Sequence, residues 1–396
     1  MLYFVSMGIH DFTKCFKATR TVKIKDFAGS TVAVDALGEI WRAALGAKSV
    51  TVLTDAAGKP TLHITVILSM LAEFKKHNIS QIWVFDHSGR SHNLNKLHEQ
   101  AARQATRQHA VKQLKQLADF AADNIPVFDI PENNTLDVEL HSQMDQKNNL
   151  EKRAFSVSQE MIDDVILILN ALNIPWLEAP AGFEAEAICS QLNAAGLVSW
   201  VYSGDTDPVA FGALVLVRRN VKDKLYYEYT NADICEQITK VTERSANLSD
   251  IRKIAVVLGC DFCARTPGVG PATVKKKYAT VTLTPQQIAA VTHYSAPISA
   301  EVIAQATALL TKPGEVLTDL LITWLVEQKN FNRTRLNKTL AAWLSPPSDA
   351  QHANAPAAKK PSKKPSKKPN VKNLNSTDKP RTLPAALQAL LDEDLE

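Results

Sequence analysis

Four apolar, β-rich runs limit what this chain can fold into: 31–35 (TVAVD), 81–86 (QIWVFD), 199–205 (SWVYSGD) and 214–217 (LVLV). Each is continuous rather than alternating, as in strands covered on both faces. Amphipathic helical stretches accompany them at 62–77, 94–122, 157–172 and 181–195. Strands alternating with helices imply an α/β domain with a mainly parallel central sheet and helices on both faces. Three of the runs end in an aspartate, Asp35, Asp86 and Asp205, and Asp207 follows two residues after the last. Strand C-termini of an open parallel sheet gather at one edge, so these acids should converge there although they are far apart in sequence. Glu184 and Glu186 open the helical stretch after Pro180, and Asp261 stands between a helix at 254–259 and a glycine turn at 267–271.

Any one of these acids is most simply a turn residue or a helix N-cap. Seven at one edge are not, because uncompensated carboxylates repel, push each other's pKa upward and leave a cost that a divalent cation removes. All-oxygen ligands select hard ions, Mg²⁺ or Mn²⁺, rather than zinc. Seven acids exceed the needs of one octahedral ion. Two ions are therefore expected, an arrangement suited to stabilising the attacking and leaving oxygens in phosphodiester hydrolysis.

Several segments carry a resemblance. They are Met7-Gly8-Ile9-His10-Asp11-Phe12, the strand Val32-Ala33-Val34-Asp35-Ala36, the strand Val84-Phe85-Asp86, and Ala179-Pro180-Ala181-Gly182-Phe183-Glu184-Ala185-Glu186-Ala187. Gly204-Asp205-Thr206-Asp207-Pro208-Val209-Ala210-Phe211-Gly212, Leu258-Gly259-Cys260-Asp261-Phe262-Cys263 and Gly268-Val269-Gly270-Pro271 complete the set. In this order they resemble the structure-specific 5′ nuclease family of the XPG/Rad type, whose motifs read MGI-x-x-(L/F), V-A-(I/V)-D-A, V-F-D, A-P-x-E-A-E-A, E-D-x-D-x-L-x-F-G and L-G-x-D-(Y/F)-C…G-(I/V)-G-P. The block 324–344 resembles the region after the nuclease core in the family's flap endonucleases. The resemblance implies a PIN-like 5′-nuclease fold with a helical arch and a helix-two-turn-helix. It also implies Asp35, Asp86, Glu184 and Glu186 around one metal, and Asp205, Asp207 and Asp261 around the other. The implied reaction is Mg²⁺-dependent cleavage at 5′-flap junctions in DNA replication or repair, with Mn²⁺ as a substitute ion and 5′→3′ exonuclease activity besides. Exonuclease action or junction resolution is the alternative within the family, and a non-catalytic DNA-binding scaffold the alternative outside it.

On the stretch from Leu94, Lys96, Arg103 and Arg107 share one helical face opposite Leu94, Leu97 and Ala101. Spacing alone leaves an ordinary solvated face equally open. The resemblance makes Lys96 and Arg103 electrostatic catalysts at the scissile phosphate, and Trp41, by itself a core residue, a platform for the neighbouring base. It extends DNA contacts to Lys48, Arg107, Glu184, Gly259, Asp261, Gly268, Gly270, Lys275, Lys276 and Lys277, with a K⁺ ion at the helix-two-turn-helix. Such contacts read junction shape rather than base sequence.

The sequence departs from the pattern in places. Six residues precede Met7, so either translation starts there or the extension is accommodated. Met70 replaces a family Arg, and polar sequence near 131–153 lengthens the arch. The expected organisation is a nuclease region with arch at 7–130, a polar insertion at 131–156, a second nuclease region with the helix-two-turn-helix at 157–285, a helical extension at 286–344 and a disordered Lys/Pro-rich tail at 345–396. Of the 45 basic and 41 acidic residues, eight Lys and one Arg against five acids follow Gln351, so the net charge of +4 sits in the tail. A purely electrostatic nucleic-acid binder is thereby excluded, and any DNA affinity must come from arranged charge. The run 359–369 (KKPSKKPSKKP) reads as a nuclear-localisation signal or DNA tether ahead of a solubilising tail. Residues 388–395 (QALLDEDL) open like a sliding-clamp peptide but lack its two aromatics, which argues against clamp binding. Five cysteines without an export signal read as reduced thiols in the cytosol or nucleus. Cys260 and Cys263 lack the second pair that zinc would need. No membrane association is expected, and a monomer is.

Overall fold

The computed structural model describes residues 8–45, 54–87, 101, 104–116, 146–147, 149–151, 153–220, 225–312 and 314–344. Among them, seven strands form one sheet in the order β1-β7-β6-β5-β2-β3-β4. The strands are β1 Arg20–Val22, β2 Thr31–Asp35, β3 Ser80–Phe85, β4 Trp176–Glu178, β5 Trp200–Tyr202, β6 Val215–Arg219 and β7 Tyr226–Thr230. The five from β6 to β4 run parallel to their neighbours. Strand β7 pairs antiparallel with β6 and with β1.

Successive strand residues point to opposite faces, and both faces here are apolar. Ala33, Ile82, Val84, Val201 and Leu216 enter one core with the helices Ala185–Ala194 and Leu248–Leu258. Val32, Val34, Trp83, Phe85, Trp200, Tyr202 and Val217 enter the other with the helices Ala36–Leu45, Leu62–Lys76 and Gln159–Ala171. Two buried faces explain why the runs do not alternate. Residues 286–344 contribute to both cores: Tyr294 and Val302 to the first, Leu321, Trp324 and Leu336 to the second. Among the described residues no helix is long and apolar enough to cross a membrane.

The structure shifts several expected boundaries. Strand β5 stops at Tyr202: Ser203 N–H still reaches the Val217 carbonyl at 3.4 Å, but the Asp205 N–H turns back to Ser203 Oγ at 3.0 Å. The helix expected from residue 181 begins at Ala185, after a turn in which Gly182 has φ +89°. The irregular stretch before residue 315 holds two helices, Pro285–Ser295 and Ala300–Thr311, the first opened by a Thr284–Gln287 capping box. The helix after the glycine turn is a single turn, Val274–Lys277, continued by a 3₁₀ turn at Tyr278–Thr280.

From β2 the chain builds β3 and β4 on one side, then crosses back to build β5 and β6 on the other. The ends of β2 and β5 therefore flank a topological switch point, where open α/β sheets hold ligands.

Candidate metal and nucleic-acid site

At the switch point Ser203 Oγ donates to Asp35 Oδ2 at 2.9 Å and accepts the Asp205 N–H at 3.0 Å. One hydroxyl thus joins the acid ending β2 to the acid following β5. Asp205 Oδ1 in turn accepts the N–H of Thr206 and, at 3.0 Å, that of Asp207. Across β3, Asp86 Oδ1 accepts the Ala185 N–H at 2.8 Å. It thereby satisfies the first turn of the helix that carries Glu184 as N-cap and Glu186 just inside.

The third segment comes from the beginning of the chain. Gly8 N–H donates to Asp261 Oδ1 at 3.2 Å, Ile9 N–H to Thr206 Oγ1 at 2.9 Å and His10 N–H to the Gly259 carbonyl at 2.9 Å. Gly8 sits at φ +76°, and a Cβ there would overlap the Asp205 carboxylate and lie 2.8 Å from Asp207 Oδ1. Only glycine allows this approach. Arg265 locks the segment from outside, with Nε on the Leu258 carbonyl at 2.8 Å and a 2.6 Å contact to Asp11.

These carboxylates are costly as they stand. Asp35, Asp205, Asp207 and Glu184 are all under 9% exposed. Burial, with the Asp86 charge next, pushes Asp35 up to about 7. Burial and Asp261 raise Asp205, and burial and Asp205 raise Asp207. Asp207 Oδ1 is buried without a hydrogen-bond partner. Among the described residues the acids do not close into a group of three about one point. Their fit to a cation thus rests on donor chemistry and unmet charge: hard oxygens, mutually destabilised, one of them orphaned. Ser203 ties Asp35 of one expected set to Asp205 of the other, and Asp86 reaches the helix of Glu184 and Glu186 through the Ala185 amide.

Trp41 lies on the helix after β2 and is half-buried. Arg107 lies on the helical segment 104–116, while Lys96, Arg103 and Lys48 fall outside the described residues. Gly259, at φ +86°, is required by packing: a Cβ would meet the Arg265 backbone nitrogen at 2.8 Å and His10 Nδ1 at 2.9 Å. A Cβ at Gly268 or Gly270 would meet open space, so this turn presents bare backbone. Lys275, expected at the DNA, is partly buried and already partnered. Its ammonium donates to the Cys15 carbonyl at 2.9 Å and lies over the Phe16 ring, which ties down the N-terminal segment. Lys276 and Lys277 remain exposed. One helical turn has little macrodipole, so positive potential here comes from those two side chains.

Cys260 and Cys263 face each other across a tight turn, exchanging backbone hydrogen bonds of 3.0 and 3.2 Å, with sulfurs 3.6 Å apart. Both are buried, and Asp261 rides at the turn's tip. Sequence reasoning missed Ser203, Thr206, His10 and Arg265. The first two adjoin Asp205, but nothing in the sequence says which distant groups they bind.

Residues 7–110 match the XPG N-terminal domain and residues 173–261 the XPG I-region. Flap endonuclease 1 of Glycine max is 27% identical over 362 residues, covering 84% of this chain and 86% of its own. Among solved structures, flap endonuclease-1 from Methanococcus jannaschii superposes with a TM-score of 0.52 at 16% identity, over 82% of this chain and 94% of its own. The Holliday junction-resolving enzyme GEN1, solved with product DNA, Mg²⁺ and Mn²⁺, gives 0.52 at 13% identity, over 84% and 76%. At such identities the two structures establish a shared fold.

Proposed function

The chain belongs to the XPG nuclease family and is a structure-specific 5′ flap endonuclease, and on that premise we propose that its acid edge performs the hydrolysis with two divalent ions, Mg²⁺ or Mn²⁺. The observation that carries this reading is the set of buried, mutually raised carboxylates at the switch point, with Asp207 Oδ1 orphaned among them. Asp35, Asp86, Glu184 and Glu186 would hold one ion, and Asp205, Asp207 and Asp261 the other. When bound, such ions activate a water for in-line attack and stabilise the leaving oxygen.

The chain's own residues do the rest. Ser203 and the amides of Ala185, Thr206 and Asp207 fix the carboxylates before any cation arrives, so little reorganisation accompanies the reaction. Gly8 brings uncharged backbone against Asp205 and Asp261, which excludes water from their inner side. Lys96 and Arg103 would stabilise charge developing on the scissile phosphate, with Arg107 and Lys48 on flanking phosphates and Trp41 stacking on the adjacent base. The turn with Gly268 and Gly270, together with Lys276 and Lys277, would hold duplex away from the cut by backbone contacts, with a K⁺ ion in the turn. The enzyme would also degrade 5′ ends exonucleolytically, act as a monomer in replication or repair, and reach the nucleus through its 359–369 run.

The test is incision of a labelled 5′-flap duplex with and without a chelator, beside blunt, gapped and four-way substrates. Mg²⁺-dependent incision at the flap junction, lost in Asp86→Ala and Asp205→Ala, is expected. Undiminished cutting by either variant would overturn the metal reading.

A further inference from the structure

Arg218, on β6, takes no part in the chemistry described so far. Its Nε and Nη2 both donate to one acceptor, the Gly204 carbonyl, at 3.0 and 2.6 Å. That carbonyl belongs to the peptide group joining Gly204 to Asp205. The N–H of the same group donates to Ser203 Oγ at 3.0 Å, and Ser203 donates onward to Asp35. A peptide group is a rigid plane, so a plane gripped at its oxygen and at its nitrogen cannot rotate. The Asp205 Cα is attached directly to it. We infer that Arg218 is a positioning residue for the metal site: it locks the Gly204–Asp205 peptide plane and thereby sets where the Asp205 carboxylate points.

Glycine makes the lock necessary. With no Cβ at 204, the backbone preceding Asp205 has rotational freedom that any other residue would restrict. The position does not require glycine for space, since a Cβ there meets nothing within 4 Å and φ lies outside the left-handed region. The chain thus combines a loose residue with a two-toothed clamp. Lysine cannot reproduce the clamp, because it is a point charge without the planar fork of paired N–H groups.

This inference rests on the metal reading above, and the experiment separates the two. Mn²⁺ binding to the full chain is titrated by the free-ion electron paramagnetic resonance signal in the parent, Asp205→Asn, Arg218→Met, Arg218→Lys, Gly204→Ala and the Arg218→Met/Gly204→Ala double variant. Arg218→Met should weaken Mn²⁺ binding about tenfold, the order by which partners supporting metal ligands act. The KM for flap DNA should stay near the parent value. Arg218→Lys should bind as poorly as Arg218→Met. The double variant, measured against Gly204→Ala alone, should recover part of the loss, because alanine restricts the plane that Arg218 no longer holds. Undiminished Mn²⁺ binding by Asp205→Asn would sink the metal reading itself. With that control lost as expected, Mn²⁺ binding by Arg218→Met at the parent level would overturn the inference. So would full rescue by lysine, which would make the effect one of charge, or a rise in KM with a shallower salt dependence, which would make Arg218 a phosphate contact. A fall in thermal midpoint with Mn²⁺ affinity unchanged would reduce Arg218 to a structural residue and also overturn it.

Discussion

Gly8 has the least tolerance of any residue at the acid edge, since it must have a positive φ and no side chain. Gly8→Ala should cut incision about 100-fold, the penalty of displacing a catalytic group by an ångström, as measured in single turnover with saturating enzyme. Asp35 makes the opposite trade. Asp35→Asn should abolish incision, yet raise the metal-free melting midpoint by roughly 1 °C for each kcal/mol gained, the scale set by the unfolding entropy of a chain this long, because it removes a charge held among other acids. The pH dependence has a definite sign. The folded value of Asp35, about 7, lies above the unfolded carboxylate value, so the folded protein binds more protons. Metal-free stability should accordingly fall as pH rises from about 4 to about 7, and Mg²⁺ added at pH 8 should restore it. A metal-free midpoint that climbs across that window would contradict the burial of these acids.

Among the elements, the one-turn helix Val274–Lys277 holds its lysines differently, Lys275 bonded and Lys276 and Lys277 exposed. Lys276→Ala with Lys277→Ala should weaken duplex binding and reduce the salt slope by about one to two, with the melting midpoint unmoved. Lys275→Ala should leave the slope alone and cost about 1 kcal/mol of stability through its lost hydrogen bond, read by thermal melting. The sequence assigned all three lysines to DNA, because the partners that separate them, the Cys15 carbonyl and the Phe16 ring, come from the far end of the chain. The same limit explains the rest. Strands β2 and β3 were legible within a residue because burial on both faces leaves an unbroken apolar run. Strands β1, β4 and β7 were not read: β1 and β4 have three residues each, and β5, equally short, was legible only within the longer run 199–205, while the YYEYT of β7 carries a charge at its centre. Helix Pro285–Ser295 did carry a readable capping box, masked by the alanines and polar residues that blur its stripe. Asp35, Asp86, Asp205 and Asp207 were legible because they follow apolar β-runs, and Glu184, Glu186 and Asp261 through the family motifs that hold them. Their hydroxyl and amide partners were not, because a serine looks the same whichever acid it binds.

For the whole molecule, the helices of the second core are fastened to one another by a buried charge cluster. Asp164, on the helix Gln159–Ala171, accepts Lys329 Nζ at 2.8 and 2.9 Å and contacts His63 Nε2 at 3.2 Å, and all three residues are buried. This ties the C-terminal helices to the helix Leu62–Lys76. Asp164→Ala strands a buried ammonium and should cost about 3–5 kcal/mol, visible as a lower denaturation midpoint with Mn²⁺ affinity per folded molecule unchanged. The contact between Gly8 and Asp261, 253 residues apart, has a consequence in time. A chain emerging from the ribosome folds from its N-terminal end, and the last strand of the sheet is complete at Thr230. Until residues 259–261 follow, the segment 8–10 lacks its bonds to Gly259 and Asp261 and keeps that of Ile9 to Thr206, and the edge lacks its last acid. A product that ends before residue 261 lacks both the seventh acid and the contact that seats Gly8, and it should incise no flap, as an assay of such a truncation would show.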